Sequence, residues 1–239
     1  MFYPTPYFFG SSSTVLLIAL IGVMLLGMFA QMKVQSTFKK YSSVRPSSGL
    51  TADELAKTLL KNANSFVTVK KVSGSLTDHY NPKENSVGLS ESVYGQSSVA
   101  ALAVAAHEIG HVMQYEGNYL PIKIRNAVLP VAQIGSQASP FIVILGLLFS
   151  SYYLAMAGVI LFFAVFLFQL ITLPVEFNAS RRAITMLEEG NFLSYNESDS
   201  AKKVLRAASF TYVVAALSTI VTLLRLLLIA RSADNRRDS

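Results

Sequence analysis

Residues 126–174 contain no Asp, Glu, Lys or Arg. A helix crosses a bilayer with about 20 apolar residues. The run is therefore too long for one crossing and right for two. The break between them is expected near Ser150-Ser151-Tyr152-Tyr153, where serines and interfacial tyrosines belong. Such a hairpin returns the chain to the side it left. Whatever precedes residue 126 and whatever follows residue 174 must then share one side of the membrane.

Two further apolar stretches flank this hairpin. Residues 11–32 suit a span. Residues 1–32 hold no Lys or Arg, so the stretch does not read as a secretory signal. Lys33, Lys39, Lys40 and Arg45 follow it. By the positive-inside rule the N-terminus faces out and the chain enters the cytoplasm after residue 33. Residues 209–230 form the last stretch, interrupted by Arg225. A span there would put Arg231, Arg236 and Arg237 outside, against the charge rule. A helix lying in the interface is the alternative; a span is the reading adopted. Hydrophobic residues make up 52% and charged residues 14%, as befits a membrane protein. The net charge of +6 is spread around apolar segments and forms no single basic face. It suits contact with anionic lipid, and nucleic acid is not expected as a partner.

The expected organisation is then an N-terminal transmembrane helix in residues 1–32, a cytoplasmic segment in 33–125, a transmembrane hairpin in 126–174, a second cytoplasmic segment in 175–208, and a C-terminal transmembrane or interfacial helix and tail in 209–239. The fold class is mainly α: a multi-pass membrane helix bundle of about four spans with a small α+β cytoplasmic domain. Within 33–125, Thr51-Ala52-Asp53-Glu54 is a capping box that opens a helix to about Asn62. Phe66–Val72 and Val87–Ser90 read as strands, separated by the turn signal Asn81-Pro82-Lys83-Glu84-Asn85. Val87–Ser90 is a candidate edge strand for an extended peptide. An Ala-rich helix is expected from Ser97 to about Glu116.

That helix carries His107-Glu108-Ile109-Gly110-His111, the HExxH pattern. The chain has only three histidines, and a chance match is on the order of one in a thousand. Positions i and i+4 share a helix face. Both imidazoles can therefore ligate one Zn²⁺, with Glu108 between them as general base. There is no cysteine, so thiolate sites and disulfides are excluded and the remaining ligand must be His or carboxylate. His79 is one candidate. A downstream carboxylate is another, and Glu176 stands where the hairpin ends, on the same side as His107 by the charge rule. Gly110 reads as a packing position against a neighbouring strand. In the second stretch, Gln133, Ser136, Gln137 and Pro140 share one face beside the small pair Gly135 and Ser139, which reads as helix packing.

The runs AVAAHEIGHVMQ, LPVEFNASRRA, and TDHYNP with VGLSESVYG resemble the YugP-type neutral zinc metallopeptidases, a family of bacterial membrane proteins. The resemblance covers essentially the whole chain. In looser form the HExxH with a later Glu helix is similar to the gluzincins, including the HtpX-type membrane proteases. The resemblance implies a zincin-like domain, His107, His111 and Glu176 as zinc ligands, and Glu108 as catalytic base. Gluzincins commonly carry Asp four residues after the ligand Glu, as a partner for a ligand His. Here that position is Ser180, and a hydroxyl orients imidazole more weakly.

Amide hydrolysis builds an oxyanion that a donor must stabilise. His79 and Arg181 are the candidates, with Arg182 as a competitor. The expected activity is a zinc-dependent endopeptidase acting on membrane proteins or their cytoplasmic segments from the cytoplasmic face of the cell membrane. A zinc-stabilised membrane chaperone or adaptor is the alternative, although a scaffold has no need of Glu108. Intramembrane site-2-type proteases place HExxH inside a span and add Leu-Asp-Gly, which is missing here. A di-iron site needs two ExxH motifs, and only Glu108-x-x-His111 is present.

Overall fold

The computed structural model describes residues 11–235. Six helices and three strands follow in the order α1 (Ser11–Ser42), α2 (Ala52–Asn62), β1 (Thr68–Val72), β2 (His79–Asn81), β3 (Ser86–Ser90), α3 (Val99–Glu116), α4 (Leu120–Leu148), α5 (Tyr152–Glu189) and α6 (Tyr195–Asn235). Arg236 and Arg237 lie outside the described residues. Helices α1, α4, α5 and α6 are each long and apolar enough to cross a membrane. Mainly helical, with four such helices and a small mixed sheet, the chain has the architecture of a multi-pass membrane protein.

The chain divides into two compact units. The first takes the described parts of Met1–Phe29, Ile124–Thr172 and Tyr212–Ser239. Its buried apolar cluster of Val143, Ala155, Val159, Phe162, Val165, Leu226 and Ala230 comes from α4, α5 and α6. Many of its outward side chains are large and apolar, as at Ile18, Phe141, Leu148 and Ile160, and suit hydrocarbon contact. A Cβ at Gly135 would sit 2.6 Å from the Leu161 carbonyl oxygen, and Gly146 abuts Ala155. Small residues therefore bring the α4 and α5 backbones together, as membrane helices require. Gln133, Ser136 and Gln137 are exposed while Ser139 is buried. Packing thus uses the Gly135 and Ser139 side of α4, and the Gln133, Ser136 and Gln137 side chains are not on it.

The second unit takes Ala30–Lys123 and Leu173–Thr211. Helix α2 opens where the sequence signals it, and Glu54 accepts from the Thr51 backbone N–H at 2.8 Å. The sheet has the order β1-β3-β2. Strand β3 is wholly buried, parallel to β1 and antiparallel to β2. Val87–Ser90 is therefore the central strand and not an edge; β1 and the unforeseen β2 are the edges. The first strand begins at Thr68, leaving Phe66 91% exposed. Helix α3 starts at Val99 and not at Ser97. Ser98 is its N-cap, accepting from the Ala101 N–H at 3.2 Å.

Helix α3 is apolar around most of its circumference, and Val99–Ala103, Ala105, Ala106, Ile109 and Val112 are all buried. It runs through the core with Leu55, Leu89, Leu102, Ile109 and Leu187 fully buried. Each such side chain stabilises the unit by about 1.5–3 kcal/mol. Residues beyond the third apolar stretch stay helical because Ala179, Ala183 and Leu187 recur every four residues and are buried in the same core face.

Candidate metal centre

Two imidazoles and one carboxylate converge in the second unit. His107 and His111 lie one turn apart on α3, with ring centroids 4.8 Å apart and planes at 83°. Glu176 comes from α5. Its Oε2 lies 3.4 Å from His107 Nε2 and 3.6 Å from His111 Nε2. One ligand atom from each of the three residues lies within 4.8 Å of the others. Those Nε2–Oε2 distances exceed an ordinary N–H···O bond of about 2.7–3.2 Å. Oε2 is buried and has no hydrogen-bond partner among the described residues.

A buried, unpartnered carboxylate oxygen is costly. A cation between the three groups removes that cost. Tetrahedral zinc with ligand distances near 2.0–2.1 Å separates its ligand atoms by about 3.4 Å. The two His–Glu separations match that spacing, and the donor set of two His and one Glu is one that catalytic zinc uses. The residues present therefore fit a divalent cation such as Zn²⁺. The His111 pKa reports the same attraction for positive charge. Burial opposes the charged imidazolium, yet the Glu176 carboxylate and then Glu108 raise it above the usual histidine value. A proton and a metal ion compete for this place.

Close helix contact brings the two halves together. A Cβ on Gly110 would lie 2.6 Å from the Ala179 carbonyl oxygen and 3.2 Å from Ala179 Cα. The smallness of Gly110 thus serves a helix, α5, and not the strand expected from sequence. Glu176 stands one turn before Ala179 and reaches the histidines because α5 packs this closely.

Glu108 is 7% exposed. Burial raises its carboxyl pKa above the usual range; His111 and His107 pull it down, and Asp78 and Glu176 push it up. A carboxyl in that setting both takes and returns protons. Asp78 itself accepts from the Ser90 N–H at 2.7 Å and from Ser90 Oγ at 2.9 Å. Its pKa is raised by burial, with the Ser90 bonds opposing.

Ser180 Oγ lies 3.2 Å from His107 Nδ1 and 3.4 Å from Ser209 Oγ. The position that departs from the gluzincin pattern does stand beside His107. His79 is exposed on β2, and its Nδ1 bonds the Thr77 carbonyl at 2.9 Å. Its ring lies over Gly88, and it is not part of the His107, His111 and Glu176 group. Arg181 is exposed, whereas Arg182 donates from Nε to Asn178 Oδ1 at 2.9 Å. Gln114, Asn178, Ser209 and Asp78 were not singled out from the sequence. For Gln114 one signal was available: it is an amide three residues after His111, on the same helix face.

The fold and site define a class: a multi-pass membrane protein with a His, His, Glu cluster that can hold a divalent cation. The family described as "Putative neutral zinc metallopeptidase" matches residues 16–231, and the chain belongs to it. It is similar to a protein of Bacillus subtilis (strain 168) named "Putative membrane protease YugP", at 45% identity over 205 residues, covering 85% of this chain and 91% of that protein. No solved structure matches.

Proposed function

We propose that this chain is a zinc-dependent endopeptidase that hydrolyses membrane proteins or their cytoplasmic segments at the cytoplasmic face of the cell membrane. The observation that carries this reading is the orphaned Glu176 Oε2, aimed between two Nε2 atoms at 3.4 and 3.6 Å. His107, His111 and Glu176 would hold the ion. Zinc bound there acidifies water and polarises a carbonyl. Glu108 takes the proton from the attacking water and delivers it to the leaving amine. His79 and Arg181 are the candidate oxyanion donors. Both lie in the same unit as the centre, and both are exposed.

Charge supports this orientation. Lys33, Lys39, Lys40, Arg45, Arg181, Arg182, Lys202, Lys203 and Arg206 all belong to the second unit, which holds the site. The positive-inside rule assigns such a unit to the cytoplasm. The apolar helices anchor the chain in a membrane, which favours membrane-associated protein substrates.

The test compares purified wild type with Glu108→Gln, both zinc-loaded, on a membrane-protein substrate. Glu108→Gln is expected to bind zinc and to lose cleavage by at least about 100-fold. Equal cleavage by both proteins would refute the mechanism. Full biological complementation by Glu108→Gln would favour the chaperone or adaptor reading.

A further inference from the structure

Gln114 is fully buried on α3 and spends its whole side-chain amide on three partners. Their chemistry decides which way the amide points. The Val175 carbonyl can only accept, so the Gln114 atom 2.7 Å from it must be the amide nitrogen, Nε2. The same nitrogen donates to Asn178 Oδ1 at 3.0 Å. Arg182 Nε donates to that oxygen at 2.9 Å, and a guanidinium has no acceptor, so the Asn178 orientation is settled too.

Gln114 Oε1 is then left facing His111 Nδ1 at 3.0 Å. A carboxamide oxygen only accepts, so Nδ1 carries the hydrogen. In a neutral imidazole the other nitrogen then holds the lone pair. That nitrogen is Nε2, the atom 3.6 Å from Glu176 Oε2. His107 is treated differently. Its Nδ1 meets the Ser180 hydroxyl, which is itself 3.4 Å from the Ser209 hydroxyl. Hydroxyls donate or accept, so neither tautomer of His107 is imposed.

We propose that Gln114, anchored through Asn178 to Arg182, is the positioning residue that presets His111 in its metal-binding tautomer and ties it to the backbone preceding Glu176. The two histidines are unequal: His111 is locked before any ion arrives, and His107 is left free to adjust. One amide bridges both ligand-bearing helices, because Val175 adjoins Glu176. The proposal rests on reading His107, His111 and Glu176 as the metal centre, but its tautomer arm needs neither metal nor activity.

Two readouts on the full-length protein test it. Nitrogen-15 NMR of histidine-labelled, metal-free protein, at a pH where the imidazoles are neutral, reads the tautomer of each of the three histidines. Wild type should show His111 protonated on Nδ1. Gln114→Met should show a mixture. Zinc affinity, by chelator competition, should fall about 10–100-fold in Gln114→Met. Arg182→Met, which removes the anchor without touching the amide, should fall less. It also serves if Gln114→Met does not fold, when its His111 tautomer should shift toward a mixture. A wild-type tautomer with wild-type zinc affinity in a folded Gln114→Met, or in Arg182→Met where that must stand in, would overturn the proposal. Failure of wild type to bind zinc would overturn the peptidase reading and leave the tautomer result standing.

Discussion

Replacing Gly110 with alanine adds one methyl group where α3 meets α5. The new Cβ would lie 2.6 Å from the Ala179 carbonyl oxygen, an atom of backbone that no side-chain rotation can move aside. A carbon–oxygen contact relaxes at about 3.3 Å, so the helices must part by about 0.7 Å. Glu176 rides on the same helix, three residues before Ala179, and moves with it. Its Oε2 now lies 3.4 and 3.6 Å from the two Nε2 atoms. Metal sites tolerate about ±0.2 Å in ligand distance. A shift about three times larger should lower zinc affinity roughly 10–100-fold, the range seen when support for a ligand is lost.

Stability should respond less. Overpacking costs about 1–3 kcal/mol. Alanine returns about 1 kcal/mol of helix propensity. The net loss is then about 0–2 kcal/mol. Zinc affinity by chelator competition and thermal unfolding in excess chelator separate the two effects. Gly22→Ala is the control, because nothing lies within 4 Å of a Cβ there; it should keep wild-type affinity. A folded Gly110→Ala protein with wild-type zinc affinity would refute the claim that this contact sets the Glu176 position.

Other perturbations probe the same centre. Glu176→Ala should abolish stoichiometric zinc retention after dialysis, read by metal analysis; full retention would remove Glu176 from the site. Ser180→Ala should weaken zinc binding only a few-fold, about 2–5 times, because a hydroxyl orients His107 weakly; a larger loss than in Gln114→Met would reverse the ranking of the two histidines. Asp78→Asn removes a negative charge that pushes the Glu108 pKa up. Glu108 must be unprotonated to act as base, so the acid limb of the pH–rate profile should move to lower pH; an unmoved or raised limb contradicts the assignment.

Much of this protein is legible along the chain. Residues 126–174 announce a helical hairpin because hydrocarbon admits no charge, and the break at Ser150 falls where serines and tyrosines mark an interface. HExxH places two imidazoles on one face because helix geometry repeats locally. Strand β2 was missed because its three residues offer too little pattern to read. The helical continuation of α5 past Pro174 was implied by the family resemblance alone, not by the local pattern. It depends on burial of Ala179, Ala183 and Leu187, which the local sequence does not reveal.

Properties that depend on neighbouring residues alone were therefore determined by the sequence: the spans, the HExxH face, the capped helix α2, and the absence of any thiolate site. Those that depend on residues far apart in the chain required the tertiary structure. Gln114 meets Asn178 across 64 positions, and Ser180 meets His107 across 73. Gly110 lacks room for a Cβ because the Ala179 carbonyl oxygen lies against it. The direction of an amide, the tautomer of a histidine and the orphaning of a carboxylate oxygen are set by partners within about 3–4 Å, and packing alone supplies those partners.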